Sequence, residues 1–452
     1  IMINIHTILT NALVLTMDDI FNIYEPGAVA IKDFNIIDVG PKEKIEASYK
    51  ADETIDCGGN VVMPGMINAH THVPMTLLRG LADDLRLDVW LLGYMMPVER
   101  EFVSPEFVHL GTKLACIELI RSGVTCFNDM YYYEDDVAQA ASEVGMRAIC
   151  GQTILKWPTP DAVSYEESIE SAREFIQRWK GHELITPAVA PHAPYTCTEE
   201  ILKTAAALAE EFDVPLHTHL AETATEVEES NHEHGMPVIP YVKKHNIFSA
   251  KVIAAHCVHV DEGEIRTLNQ FNAGVAHNPS SNLKLASGFA PIKTMLEVGL
   301  NVGIGTDGPA SNNDLDMFEE TRLASFIAKA TTGDPTALPA KTALSMATRN
   351  GAKALHIDNI TGCIQKGLRA DIIVVDISPL HNAPRFRRDS EGIYAQLVYA
   401  AKSTDVTDVM VNGKWLMRQR KLLTLDESEL LSQAEKYANQ IDTFLTKREQ
   451  SV

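Results

Sequence analysis

The segment MPGMINAHTH, residues 63–72, places two histidines one residue apart at the end of a short apolar run. In an extended strand, alternate side chains project from the same face. His70 and His72 would therefore direct their imidazole rings toward one point in space. Imidazole is a common metal ligand, but a surface strand also carries two histidines by chance. The pair alone does not decide between these interpretations.

Further histidines follow strand-like runs later in the chain. The chain contains 16 histidines, and those at the ends of apolar runs are His70, His72, His192, His217, His219, His256, His259 and His277. A carboxylate, Asp307, follows the last run in the segment VGIGTDG. Imidazole and carboxylate ligands together suit Zn²⁺ with one position left for water. Since an aspartate there is also a common helix cap or turn residue, only the combination favours a metal centre.

A barrel would bring these strand ends together. Between residues 64 and 359, eight short apolar runs alternate with helical stretches, and the runs end in GMINAHTH, GVTCFND, RAICGQT, ITPAVAPHAP, VPLHTHLAE, VIAAHCVH, GVAHNPSS and NVGIGTDG. The helical stretches include SPEFVHLGTKLACIELIRS, YEESIESAREFIQRWKG and TEEILKTAAALAEEF. This alternation predicts an α/β fold, a (β/α)₈ TIM-type barrel. The polar residues then lie at its C-terminal face, where such barrels carry their chemistry.

The two ends of the chain have a different pattern. Residues 1–63 and 360–425 contain short strand-like runs punctuated by Gly, Asn and Asp, without a long helical period. We interpret them as one small β-sandwich domain assembled from both termini. Residues 426–452 have helical spacing, and we expect this helix to pack on the outside.

Composition limits the partners. The net charge of −22 disfavours nucleic acid and anionic membranes and favours a small-molecule substrate. The seven cysteines form no CxxC pair, which fits a reducing compartment. We see no apolar run long enough to span a membrane and no signal peptide. We therefore expect a cytoplasmic protein, and a homo-oligomer is an open alternative to a monomer.

The ordered set of motifs resembles a known family. MPGMINAHTHVPMTLLRG, PHAPYTC, HTHLAET, AAHCVHV, AHNPSSNLKLASG and GIGTDG follow one another at the predicted strand ends. The sequence resembles the amidohydrolase superfamily, in the branch of 5-methylthioadenosine/S-adenosylhomocysteine deaminases, over nearly its whole length. Guanine deaminases and triazine hydrolases are neighbouring branches. The motif set is more specific for the superfamily than for the substrate.

The resemblance implies one divalent metal ion, Zn²⁺ by preference, bound by His70, His72, His219 and Asp307. The segment HTHLAE offers two histidines, and the family pattern His-x-x-Glu selects His219 together with Glu222. His217 would then lie one step deeper in the barrel as a packed or supporting group. Spacing alone does not make this choice.

The resemblance also implies the remaining roles. Glu222 would be the proton shuttle, His256 would orient the attacking water, and Asp307 would accept its proton. Substrate contacts would come from Glu99, His192 and Trp90, together with Glu222. Without the resemblance, each has an ordinary interpretation as a capping, buried or packing residue.

The reaction implied is hydrolytic deamination of the adenine ring of 5′-methylthioadenosine, S-adenosylhomocysteine or adenosine. Some members carry an arginine after the third strand, where this chain has AICGQTIL with Gln152. A substrate contact shared at that point is therefore in doubt. The alternatives are a guanine deaminase, a triazine hydrolase, or a metal-binding scaffold without activity.

Overall fold

Strands from both ends of the chain form one mixed sheet. The structure, a computed structural model, describes residues 2–86 and 89–450. The N-terminal strands are Ile3–Leu15 (β1), Ile23–Lys32 (β2), Asn35–Pro41 (β3), Tyr49–Asp56 (β4) and Val61–Pro64 (β5). The long β1 pairs antiparallel with β2 and parallel with both β4 and β5. Isoleucine, valine and leucine dominate the buried positions of β1 and β5, as is typical of strands covered by other elements.

The central part of the chain forms eight parallel strands, each paired with the next along the chain. They are Met66–Thr71 (β6), Val124–Tyr131 (β7), Arg147–Ile154 (β8), Ile185–Pro191 (β9), Pro215–Leu220 (β10), Lys251–His256 (β11), Gly274–His277 (β12) and Asn301–Ile304 (β13). The first and last of them meet, because the backbone N–H of Asp307 donates to the carbonyl oxygen of His70 at 2.9 Å. The predicted eight-stranded parallel barrel is confirmed.

The chain then returns to the first sheet with Ile372–Val375 (β14), Val406–Val411 (β15), Lys414–Arg418 (β16) and Lys421–Leu422 (β17). β14 pairs antiparallel with β5, so the two termini meet inside one sheet. The prediction that both ends build one β-domain is confirmed. A buried ion pair connects this sheet to the barrel, since Arg147 Nε lies 2.7 Å from an oxygen of Asp371.

Helices cover the outside of the barrel, and the first one packs on the terminal sheet instead. They are Lys42–Ser48 (α1), Met96–Phe102 (α2), Pro105–Arg121 (α3), Glu134–Val144 (α4), Tyr165–Trp179 (α5), Glu199–Phe212 (α6), Ala224–His234 (α7), Val238–Lys244 (α8), Glu262–Gln270 (α9), Pro279–Lys284 (α10), Ile292–Val298 (α11), Pro309–Asn312 (α12), Met317–Thr332 (α13), Ala340–Met346 (α14), Arg349–Ala354 (α15), Gly392–Tyr399 (α16) and Glu427–Gln450 (α17). A π-helix, Val89–Met95, leads into α2.

Local sequence signals set the bounds of these helices. In α6, the Thr198 hydroxyl accepts the N–H of Ile201 at 3.2 Å, and the helix ends at Asp213 in the left-handed region, φ 51°. Its small face of Ala205, Ala206 and Ala209 is buried. α17 packs through Tyr437 and Phe444 against α3 and α2.

The barrel interior is apolar at one end and polar at the other. Ile67, Cys126, Ile149 and Ile253 form an apolar cluster together with residues of α15. The polar residues gather at the opposite end, just beyond the carboxyl ends of the strands. Among the described residues, no helix is both long and apolar enough to cross a bilayer.

Candidate active site

The two histidines at the end of β6 both face the carboxylate that follows β13. Asp307 Oδ1 lies 3.3 Å from His70 Nε2 and 3.2 Å from His72 Nε2. The two rings meet edge to face with centroids 4.9 Å apart. The ends of the first and the last barrel strand therefore present three polar groups to one point.

A third imidazole joins them from β10. Ligand atoms of His70, His72 and His219 lie within 4.8 Å of one another, and the same holds for His70, His256 and Asp307. All of these side chains are buried except that of His72, which is slightly exposed. The structure thus brings together the four residues predicted as metal ligands.

Each of the three imidazoles has its Nδ1 occupied by a neighbour. His72 Nδ1 lies 2.6 Å from the carbonyl oxygen of Met130, and His219 Nδ1 lies 2.7 Å from that of His192. Carbonyl oxygens accept, so each Nδ1 carries the proton and each Nε2 offers its lone pair to the centre. His70 Nδ1 lies 2.9 Å from His217 Nε2.

The centre fits a divalent cation. Nε2 of His70 is buried and has no well-aligned hydrogen bond, which is costly for a polar atom unless another group satisfies it. Burial lowers the pKa of His70 to about 4, so this ring is neutral. Burial also acts on His72, but Asp307 raises its pKa to about 9, so a cation binding there displaces a proton. Three imidazoles and one carboxylate are a donor set that suits zinc.

Asp307 is held rigidly. Its backbone adopts φ 62°, and Gly305 beside it has no room for a side chain, because a Cβ would lie 2.6 Å from the His70 nitrogen. Gly308 N and Ser281 Oγ donate to its two carboxylate oxygens at 2.7 and 2.6 Å. Burial raises the pKa of Asp307, but the neighbouring imidazoles of His70 and His72 outweigh it and hold the pKa well below its ordinary value.

Glu222 and His256 complete the centre. Glu222 Oε2 lies 3.8 Å from His256 Nε2, which in turn lies 3.8 Å from Asp307 Oδ2. His256 Nδ1 lies 2.9 Å from the side-chain oxygen of Asn282. Burial raises the pKa of Glu222. The site therefore contains one carboxyl held as an anion and a second that keeps a proton more readily.

The residues predicted to contact the substrate differ in how closely they approach the histidines of the centre. Glu99 is buried, accepts the Tyr131 hydroxyl at 2.7 Å, and interacts electrostatically with His72. The His192 ring stacks obliquely on His219 with centroids 4.7 Å apart. Trp90 is buried in the π-helix before α2, and within the described part of the chain its indole N–H has no hydrogen-bond partner.

Several residues that hold the site were not predicted. Ser281 and Asn282 follow β12 and contact Asp307 and His256. The polar run HNPSSN after a predicted strand was a usable signal for them. Asn128 donates to the carbonyl oxygen of Ala69 at 2.9 Å, and nothing in its local sequence indicates this contact.

Gln152, whose role the sequence leaves open, forms a hydrogen bond within the protein. Its amide donates to Asp161 at 2.7 Å, and the same carboxylate accepts the backbone N–H of Tyr133 at 2.8 Å. Gln152 therefore joins the loops that follow β7 and β8.

The fold and the site together define a metal-dependent enzyme built on a (β/α)₈ barrel. The model of the amidohydrolase family matches residues 61–416. The chain belongs to the amidohydrolase family, whose members are hydrolytic enzymes.

Known proteins resemble the chain over almost its full length. A 5-methylthioadenosine/S-adenosylhomocysteine deaminase from Syntrophobacter fumaroxidans is 43% identical over 434 residues, which cover 96% of this chain and 98% of that protein. The crystal structure of an adenosine deaminase from Xanthomonas campestris with bound zinc superposes with a TM-score of 0.95 at 38% identity, covering 98% of this chain and 100% of that one. An atrazine chlorohydrolase from Arthrobacter aurescens, complexed with zinc, has a TM-score of 0.87 at 22% identity, covering 95% and 99%. At that identity the last comparison shows the shared fold alone.

Proposed function

We propose that the protein catalyses hydrolytic deamination of the adenine ring of 5′-methylthioadenosine, S-adenosylhomocysteine or both. The products are the inosine-type nucleoside and ammonia. The observation that carries the proposal is the placement of Glu222 beside His256 and Asp307. That arrangement sets a proton donor next to a carboxylate base at a centre suited to a metal.

His70, His72, His219 and Asp307 hold the divalent ion. When bound, such an ion lowers the pKa of water and so makes hydroxide available at neutral pH. His256 orients the attacking water, with its own ring fixed by the side-chain oxygen of Asn282. Asp307, anionic before the reaction, receives the proton that this water loses.

Glu222 supplies the proton that the adenine ring receives. Its raised pKa favours the protonated form that can donate to the ring nitrogen next to the attacked carbon. That carbon gains the water oxygen and becomes tetrahedral, and its bond to the amino nitrogen then breaks. The proton held by Asp307 passes to this nitrogen, which leaves as ammonia. The hydroxyl on the carbon then becomes the carbonyl oxygen of the product and returns its proton to Glu222. General acid–base catalysis of this type contributes roughly 10²–10⁴-fold.

The other predicted residues hold the nucleoside. Glu99, buried and bonded to Tyr131, is an acceptor suited to ribose hydroxyls. His192, which contacts His219 and hydrogen-bonds Thr196, lies where it can meet the purine. Trp90 provides an aromatic surface beside the substrate.

The full-length relatives support the adenine substrate over the alternatives. The relatives from Syntrophobacter fumaroxidans and Thermodesulfovibrio yellowstonii carry the same deaminase name at 43% identity. The guanine deaminase and triazine hydrolase structures that match are only 22–23% identical and share the fold alone.

A substrate panel tests the proposal. The zinc-loaded protein is incubated with methylthioadenosine, S-adenosylhomocysteine, adenosine, guanine and a chlorotriazine. We expect loss of adenine absorbance with one ammonia released per nucleoside for at least one thioether nucleoside. Turnover of guanine or the triazine alone would overturn the proposal, and inactivity on all five would favour a scaffold.

Replacement of the proton donor provides the internal control. Glu222→Gln keeps the size of the side chain but removes the transferable proton. We expect kcat to fall by about 10²–10⁴-fold with unchanged metal content. A variant that keeps wild-type kcat would exclude Glu222 as the donor.

The compartment and the assembly are part of the proposal as well. All seven cysteines are unpaired, and six of them are buried. Free thiols fit a reducing compartment, and we place the enzyme in the cytoplasm. A homo-oligomer is the alternative to a monomer, and light scattering in solution would decide between them.

A further inference from the structure

Glu320 is a carboxyl group buried outside the catalytic cluster. It lies in the first turn of α13 and is 0% exposed. Burial raises its pKa to about 8, against hydrogen bonds from Ser280 and Asn312 that lower it. Burying a carboxyl group among neutral groups costs stability. A contribution to stability therefore does not explain why Glu320 lies there.

The two oxygens of Glu320 reach two different elements. Oε2 accepts the backbone N–H of Ser280, at the start of α10, at 3.1 Å. Oε1 accepts the side-chain amide of Asn312, at the end of α12, at 2.8 Å. α10 follows β12 and α12 follows β13. One side chain therefore ties together the turns that follow the last two barrel strands.

Those turns hold the reacting groups. The residue after Ser280 is Ser281, whose hydroxyl donates to Asp307 at 2.6 Å. The next is Asn282, whose oxygen contacts His256 Nδ1 at 2.9 Å.

The second turn reaches Asp307 from its other side. Asn312 donates through the same amide nitrogen to the carbonyl oxygen of Thr306 at 2.8 Å. Thr306 directly precedes Asp307, whose backbone adopts the left-handed conformation. The hydrogen bonds of Glu320 thus connect, through two turns, to Asp307 and His256, the two groups that act on the attacking water.

We propose that Glu320 is a positioning residue that sets the placement of Asp307 relative to His256 through Ser280 and Asn312. The inference rests on the proposed function and extends it to a residue that touches no substrate. A shift of about 1 Å in a reacting group can cost 10²-fold in rate. Loss of Glu320 therefore lowers kcat, while the binding of nucleoside, through Glu99 and His192, is unaffected.

The test compares two substitutions at this position. Glu320→Met keeps the volume and removes both acceptors, and we expect kcat to fall about 10–100-fold with KM within about twofold. Glu320→Gln keeps an acceptor oxygen and should restore kcat to within about fivefold of the wild type. Glu264→Met is the matched control, because Glu264 is also a buried helix carboxyl but caps α9 by accepting the backbone N–H of Asp261 at 2.9 Å. It should leave kcat unchanged.

Each result decides a separate question. Wild-type inactivity on every nucleoside would refute the proposed function. If the wild type is active, three results would overturn this inference alone. Glu320→Met could keep the wild-type kcat, it could raise KM without lowering kcat, or Glu264→Met could lose as much kcat as Glu320→Met. Metal content and the melting temperature are measured for each variant. If Glu320→Met does not fold, Asn312→Ala replaces it, and a kcat equal to that of the wild type would then contradict the inference.

Discussion

Asp307 and Glu222 are two buried carboxyl groups in one site, and their surroundings drive them to opposite protonation states. Asp307 faces two imidazole nitrogens at 3.2 and 3.3 Å, which hold its pKa well below the ordinary value. Glu222 is 8% exposed and faces His256 at the longer distance of 3.8 Å, so burial prevails and its pKa rises. Asp307 can therefore act as a base and Glu222 as an acid in the same site.

The residue types and their spacing predicted the centre of the site but not its supports. His70 and His72 were predictable because a strand has a period of two. The choice between His217 and His219 was not predictable from spacing, since residues two apart lie on the same face of β10. The contacts of Ser281 and Asn282 depend on how the turns after β11, β12 and β13 approach one another, which no local pattern encodes.

The pKa of Glu320 leads to a prediction about stability. Its ordinary value is 4.5 and its folded value about 8, so between these pH values the folded state binds more protons than the unfolded state. By linkage, its contribution to stability falls as pH rises through this window, at about 1.4 kcal/mol per pH unit at most. The Gln side chain does not titrate. We therefore expect urea unfolding to show the wild type losing stability relative to Glu320→Gln between pH 5 and pH 8. A difference that does not change with pH would contradict the assignment.

At the scale of elements, α17 braces the segment that carries two predicted substrate contacts. Phe444 meets Phe102 edge to face with centroids 5.6 Å apart, and Arg448 donates to the carbonyl oxygen of Gly93 at 2.8 Å. Gly93 lies in the π-helix of Trp90, and Phe102 ends the helix of Glu99. The C-terminal helix therefore supports one wall of the proposed nucleoside site.

Loss of this support should weaken substrate binding. We expect Phe444→Ala to raise KM several-fold with kcat nearly unchanged, and to lower the free energy of unfolding by about 1–3 kcal/mol, since the ring is only partly buried. Steady-state kinetics and urea unfolding measure the two effects. Tyr437→Ala is the control, because Tyr437 packs on Phe107 of α3 and should cost stability without a change in KM. Equal KM values for both variants would exclude the bracing role.

The long helices and the barrel strands were predictable, while the shortest helices were not. The amphipathic segments of α3, α5 and α6 have polar N-caps and a buried apolar face, so their pattern and their structure agree. α10 and α12 have only six and four residues and begin with proline. Their shape follows from contacts with α13 and the strand ends, which is why the sequence pattern did not separate them from loops.

At the scale of the whole molecule, the ion pair of Arg147 and Asp371 joins the barrel to the terminal sheet. Both side chains are buried, at 4% and 0% exposure, and two bonds of 2.7 and 3.1 Å connect them. Asp371 also accepts the backbone N–H of Asn412 at 2.7 Å. The pair thus links β8 with β14, which begins after Asp371, and with β15, which ends before Asn412.

Removal of the cation leaves a buried carboxylate without its partner. We expect Arg147→Met to lower the free energy of unfolding by about 3–5 kcal/mol and to leave the kcat of the folded enzyme unchanged. Arg173→Met breaks the exposed pair with Glu211 and should cost about 1 kcal/mol or less. Denaturant unfolding of both variants gives the comparison. A similar small loss for both would show that the buried pair does not hold the two domains together.

The central claim is that His70, His72, His219 and Asp307 bind one divalent ion on which deamination depends. The most direct measurement is methylthioadenosine turnover by protein stripped with chelator and then titrated with zinc. We expect stripping to abolish ammonia release and activity to return in proportion to zinc, reaching its limit at one ion per chain. Full turnover by the stripped protein would contradict it.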